Sequence, residues 1–317
     1  MPYNNLISRT DAAALIPESV SQAMITNLTA ESAALSLSTN IPVSSAQTRL
    51  PVLSALPTAY FVSGDTGIKQ TTEVNWANKY LNIEELAAIV PIPEAVLDDT
   101  GFDVWGSIQP LLEGAIARAL DAAILFGANK PASWPTDIVA SSVAAGNTRT
   151  RGTATAAQGG IAEDFNALFG AVESDGFMVN GVVAKTSYKA FLRGARGTDG
   201  QALADLSGGT LYGEPLSIVA PGLWPTGATP PGLYAEAIAG DWTQSVVGVR
   251  QDFTYKLLDQ AVLTDAANVI QYNLAQQDMV AMRVVFRVGW QVANVVNYEG
   301  ANNATQFPFG VMRSPAA

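Results

Sequence analysis

Among its 317 residues the chain has no cysteine and no histidine. These absences exclude a disulfide framework, a Cys/His zinc site, a thiolate nucleophile and any Ser-His-Asp triad. Any chemistry would fall to carboxylates, Lys, Tyr, Ser or Thr, which weighs against an enzyme. Charge is scarce as well: charged residues make up 14% of the chain, against ~25% in soluble domains. With a positive mean hydropathy of +0.18, little is left to solvate a free monomer, which points to surface buried between subunits. A large compact enzyme core has the same composition. Cations are outnumbered, 17 to 28, for a net charge of −11 and no basic run. Nucleic-acid binding needs clustered Lys and Arg that release counterions. Arg149 with Arg151, and Arg193 with Arg196, lie in Gly- and Thr-rich stretches and read as solvated loop charges. No segment has the ~20 uninterrupted apolar residues of a membrane helix. The opening MPYNNLISRT lacks a basic stretch followed by an apolar one. The expectation is a protein that stays in the cytosol of its producer, with no membrane partner.

What is present is organised around Leu86 to Gly127. Leu86, Ile89, Val90 and Ile92 read as a strand, which Pro91 and Pro93 are expected to end, since proline cannot donate to a sheet ladder. A short helix is expected from Glu94 to Asp99. From about Asp103, apolar residues recur at Trp105, Ile108, Leu112, Ala115, Ile116, Ala119, Leu120, Ala123 and Ile124. This is the stripe of a long helix of about 35 Å. Asp103 suits its N-cap, Gly127 a left-handed C-cap, and Pro110 should bend it near its start.

Upstream, Asp11 could cap a short helix near Ala12 to Ile16, and Pro17 opens another with Val20, Met24, Ile25 and Leu28 on one face. Leu35 to Pro51 reads as extended. Arg49 to Val62 and Val74 to Val90 form the limbs of a long hairpin, with its tip at Gly64 to Thr72. A hairpin this long is not stable alone in water and must lie on something. Residues 128–160 read as a surface connection. A compact α/β unit follows: a helix over Ile161–Ser174, a strand over Val179–Ala184, a helix over Tyr188–Arg193 capped by Ser187, and a strand over Leu211–Val219. Ser245–Arg250 and Phe253–Leu258 read as a strand pair. From Val280 to Val292, seven apolar positions at period two predict one long strand, with Arg283 and Arg287 on its other face.

Candidate chemistry is sparse. Glu84-Glu85 and Asp98-Asp99 are adjacent acids, which point to opposite faces of a strand and read as solvated or capping groups. The glycines of 194–200 fit no phosphate-loop pattern. The six tryptophans are spread out, as core and interface anchors are. No catalytic, cofactor-binding or metal-ligating residue is nominated, and no cofactor.

The blocks LAAIVPIPEAVLDD (Leu86 to Asp99), LDAAILFG (Leu120 to Gly127), AGDWTQSVVGVRQ (Ala239 to Gln251) and QQDMVAMRVVFRVGW (Gln276 to Trp290) occur in that order. Together they resemble the major capsid proteins of tailed double-stranded DNA phages with the Hong Kong 97-type fold. The resemblance implies an α+β chain. It divides into an N-terminal arm (1–47), an extended-loop hairpin (48–90), a peripheral domain (91–150) whose spine helix covers about 103–126, an axial domain (151–238), and return strands completing the peripheral domain (239–317). It implies a virion protein, assembled in the host bacterial cytoplasm, whose partners are copies of itself in hexamers and pentamers, with portal, scaffold and cement proteins. Such a shell encloses double-stranded DNA without sequence-specific binding. Asp65, Lys69, Trp76, Arg283 and Arg287 are the candidate inter-subunit contacts. In some relatives a hairpin lysine joins an asparagine of the next subunit; Lys69 with Asn294, Asn297, Asn302 or Asn303 would be the groups here, though a charge contact suits Lys69 better. An encapsulin-type compartment shares the architecture, and a carboxylate-based enzyme is the third reading.

Overall fold

The computed structural model describes residues 32–62, 68–69, 71–98, 104–196, 209–219, 224, 234–265, 267–299 and 305–315. In chain order these form α1 (Ala33–Leu37), β1 (Thr39–Pro42), β2 (Gln47–Ala55), β3 (Asn75–Pro93), α2 (Glu94–Asp98), α3 (Val104–Phe126), α4 (Ile138–Ala145), β4 (Thr148–Thr150), α5 (Ile161–Ser174), β5 (Gly181–Ala184), α6 (Tyr188–Gly194), β6 (Thr210–Leu211), β7 (Glu214–Ile218), β8 (Ala235–Gly240), β9 (Ser245–Leu258), β10 (Val262–Thr264), β11 (Ile270–Asn273), β12 (Met279–Val292) and β13 (Phe309–Arg313). The helices expected before residue 32, residues 63–67 and 70 of the long hairpin's tip, and the proposed N-cap Asp103 lie outside the described residues.

Two sheets carry the fold. The first has the strand order β1-β9-β12-β3-β2, and β12 pairs antiparallel with both β3 and β9. The 19-residue β3 is about 60 Å long at strand rise and changes partner midway. Residues 75–82 pair with β2 and residues 83–93 with β12. Pro91 and Pro93 do not end the strand; they lie inside it. Glu94 N–H donates to Asp278 O, so even-numbered residues here turn their N–H groups toward β12. The nitrogens of Pro91 and Pro93 therefore face the open edge, where a missing donor costs nothing.

The period-two strand is present as read. Its even-numbered residues Met282, Val284, Phe286, Val288 and Trp290 pack in one core with Leu112, Ile116, Leu120 and Ile124 of α3. The α3 stripe ends at Gly127, whose φ of 67° is the left-handed cap conformation. Its N–H donates to Ala123 O. The expected pair at Ser245–Arg250 and Phe253–Leu258 is instead one strand, β9, whose register with β12 slips on either side of Arg287. The slip lets Phe253 stack on Phe286 at 4.7 Å.

The second sheet runs β4-β13-β8-β5-β7-β6. Its strands alternate between two cores. Val183, Ile238 and Val311 face the α3 core, whereas Val182, Ala184, Ala237, Ala239 and Met312 face Phe165, Leu168 and Val172 of α5. Residues 128–160 are more than a connection: Asp137 caps α4, Trp134 and Ile138 are buried, and β4 joins this sheet. The last strand, β13, also joins it rather than the sheet of the other return strands. Ser187 makes no side-chain cap to α6. The strand expected over 211–219 is a tight hairpin, β6–β7, turned by Tyr212 and Gly213 with φ of 54° and 94°, the signs a two-residue turn of this hand needs.

The stretch expected to be extended from Leu35 opens with a helical turn, α1, and β1 then pairs in parallel with β9 of its own subunit. Close backbone approach sets one sharp requirement. A Cβ on Gly240 would sit 2.4 Å from Pro308 O and 2.9 Å from Phe309 Cα. Both are backbone atoms and cannot rotate away. Gly240→Ala is expected to cost about 1–3 kcal/mol by overpacking, read as a lower urea midpoint and lost soluble yield.

Candidate assembly surfaces

The β2–β3 hairpin is a two-stranded ribbon for most of its length. Its root is tied to its own subunit, where Lys79 Nζ donates to Val292 O at 2.9 Å and Gln291 Nε2 to Tyr80 O at 3.0 Å, and a further tie lies past the outer end of β2, where Tyr298 Oη donates to Pro57 O at 3.1 Å. Burial holds the Lys79 amine below the ordinary lysine range. Beyond the root the ribbon carries large apolar side chains in water. Phe61 and Ile68 are almost fully exposed, and Trp76 is 67% exposed. Ribbons of two strands are marginal alone, and large apolar side chains left exposed along one hairpin make it a candidate contact surface.

Of the contact residues read from the sequence, Trp76 and Lys69 lie exposed on this hairpin. Asp65 lies outside the described residues. Arg283 and Arg287 lie elsewhere, on the outer face of β12, so the subunit does not bring the two groups together. Arg287 already has a partner, Glu85, at 2.9 Å, with both side chains close to half exposed. Arg283 is flanked in register by Lys256 of β9 and Ile89 of β3. Lys256 has no signal in the sequence by itself; only the strand register places it beside Arg283. Asn294 and Asn297, suggested as amide partners, are occupied within the subunit. Asn294 Nδ2 donates to Gln306 O and Asn297 Nδ2 to Asp175 O. Asn302 and Asn303 lie outside the described residues.

The subunit also buries charges that sequence reading missed. Arg149 and Arg151 are not solvated loop charges. Arg149 pairs with the fully buried Asp164 at 3.0 Å, and Arg151 with the buried Glu236 at 2.7 Å, which Lys185 also reaches at 3.0 Å. Beside them Tyr188 is held above its ordinary pKa, chiefly by burial and then by Glu236. On α3, Asp121 accepts from Ser32 Oγ, Ala33 N–H and Ala34 N–H and so fastens α1 to the spine.

Burial pushes Asp121 up to about 6 against the pull of those three hydrogen bonds. A carboxyl raised in the folded state favours folding when protonated. Its contribution is complete below the unfolded value near 3.8 and is lost as pH rises through about 6. Two pKa units correspond to about 3 kcal/mol. Protection of the amides of residues 33–38, corrected for intrinsic exchange, is therefore expected to rise as pH falls from 7.5 to 5. Asp121→Asn should flatten that dependence.

The remaining acids do not converge. Glu84 and Glu85 border a cavity of about 180 Å³ between β3, α3 and the 128–134 loop, otherwise lined mainly by apolar groups such as Leu86, Ala119, Ala123 and Trp134. Glu84 accepts from Ser133 Oγ, and Glu85 is held by Arg287. Among the described residues no three acids are grouped to hold a metal ion, and no helix is long and apolar enough to cross a membrane.

The subunit is thus a two-sheet body with a tied hairpin on which large apolar side chains lie exposed. The phage capsid family model matches residues 12–296. The chain belongs to that family, the major capsid proteins of tailed phages with the Hong Kong 97-type fold. The major capsid protein of Staphylococcus phage 80alpha is 26% identical over 242 residues, which is 75% of this chain and 69% of the relative. A solved structure from Microbacterium phage Oxtober96 is 35% identical, with a TM-score of 0.77 over 90% of this chain and 91% of the other. One from Mycobacterium phage Cain is 31% identical, with a TM-score of 0.78 over 98% and 99%.

Proposed function

We propose that this capsid protein forms the hexamers and pentamers of an icosahedral head that encloses double-stranded DNA. The β2–β3 hairpin of one subunit lies over the spine and outer sheet of the next. The observation that carries this reading is the ribbon itself, rooted in its own subunit yet presenting Phe61, Ile68 and Trp76 to water. Contacts of this head-to-tail kind close into rings. The division into arm, hairpin, peripheral and axial parts belongs to the same reading, as do the partners: portal, scaffold and cement proteins. The role is structural, association without catalysis, in a shell assembled in the host cytoplasm. A net charge of −11 suits a wall that does not grip its contents. An encapsulin-type compartment is less favoured, since the family model that matches is that of phage capsids.

Negative-stain imaging of the protein, produced alone and with its neighbouring genes, tests the proposal. Closed shells with hexameric and pentameric units are expected, filled with DNA when the packaging genes are present. A uniform 33.2 kDa monomer under both conditions would overturn it, and shells filled with an enzyme would favour the compartment.

A further inference from the structure

We propose that Lys256 and Arg283 form a receptor for a carboxylate of a second copy of this chain, and that Glu73 on the neighbour's β2–β3 hairpin is the group it takes. The proposal rests on the reading that this hairpin lies over the next subunit.

Lys256 and Arg283 are direct cross-strand partners in the β9–β12 register and so share one face of the sheet. Like charges placed opposite each other repel. Arg283 Nε is buried, yet it has no hydrogen-bond partner. A buried, unpaired donor of a charged group is costly; Nε is covered by its own subunit, so what a second copy can offset is the unpaired charge of the guanidinium and of Lys256, not that bond. The neighbouring charge on the same strand shows the contrast. Arg287 has its carboxylate, Glu85, in the same subunit, while among the described residues no acid reaches Arg283. The face is incomplete in the free subunit.

The chemistry of the missing group follows. A guanidinium beside an ammonium takes a carboxylate with charge-assisted hydrogen bonds. The chain carries 28 acids against 17 bases, so a second copy supplies such groups readily. Glu73 is the only carboxylate among the described residues of the two-stranded part of the hairpin, from Gln47 to Asn82; it is exposed and accepts only from the neighbouring Asn75 amide. Three residues on stands the exposed Trp76, and beside Arg283 stands Ile89, itself 44% exposed. Acid and indole on the hairpin thus match cation and isoleucine on the sheet. A nucleic-acid phosphate would satisfy the same cations, but two cations in an acidic chain without a basic run make a poor phosphate track.

Charge reversal tests this. Lys256→Glu, at an exposed position, and Arg283→Glu are made separately, each alone and combined with Glu73→Lys, and shell yield is measured by sedimentation and imaging. Each single reversal is expected to lower yield roughly tenfold or more, since like charges then face each other across the interface. Glu73→Lys should restore it in the double variants. Circular dichroism melting of the unassembled subunit should be unchanged or slightly raised for Lys256→Glu, which places a carboxylate opposite Arg283, and this keeps the test valid if Arg283→Glu does not fold. Normal yield from both reversals, or no rescue by Glu73→Lys, overturns the receptor. A Trp76→Glu control separates the two claims: if it still blocks assembly, the hairpin reading stands without the receptor, and if it too assembles, both fail. Shells that form normally but package less DNA would make phosphate the anion and also overturn the proposal.

Discussion

Shells should fail to form when Trp76 is replaced by glutamate. Trp76 pairs with Leu53 across the ribbon and is 67% exposed. Within the subunit the change therefore costs only a cross-strand contact, about 0.2–1 kcal/mol. A tryptophan anchor at a subunit contact contributes 2 kcal/mol or more as an order of magnitude, and burying a carboxylate in its place adds a further penalty. Every subunit repeats the contact, so the losses compound around each ring. Trp76→Phe, which keeps an aromatic face, should retain partial yield. The measurement is the assembled fraction by sedimentation, with melting of the unassembled subunit as the control for folding. Wild-type yield from Trp76→Glu would remove the hairpin from the interface.

Asp164→Ala should have the largest effect on the stability of the subunit itself. The carboxylate is fully buried in the first turn of α5. Its Oδ1 accepts from Arg149 Nε at 3.0 Å and Ala154 N–H at 3.0 Å, and its Oδ2 from Gly152 N–H at 2.6 Å. Truncation strands a cation and two backbone donors at once. Breaking a buried pair by removing one member costs about 3–5 kcal/mol. Arg149 is 29% exposed and can regain some water, so the lower end is expected. Asp164→Asn keeps the shape but must point an amide at one of three donors, and should recover only part of the loss. Glu85→Ala is the contrast: its pair with Arg287 is close to half exposed on both sides and should cost under about 1 kcal/mol. Urea unfolding of the variants in one assembly state would order them. An Asp164→Ala loss no larger than that of Glu85→Ala would show that the buried pair holds nothing together.

What the amino-acid sequence determined by itself are the elements whose signal is local. The α3 stripe from Ile108 to Ile124, the cap at Gly127 and the alternation from Val280 to Val292 each repeat with the period of their own backbone, so neighbours in sequence suffice to read them. The long hairpin was legible for the same reason, from two apolar limbs around turn formers. The tertiary structure alone decided what depends on partners far along the chain. Pro91 and Pro93 sit inside a strand because β2 stops at the point that leaves their edge open. Arg149 and Arg151 look like loop charges until α5 and β8 bring buried carboxylates to them from 15 and 85 residues away. Lys256 becomes the companion of Arg283 through a register that two slips around Arg287 set. Periodicity is a property of one segment, whereas pairing and desolvation belong to the contact between segments, and no local pattern encodes which segment will arrive.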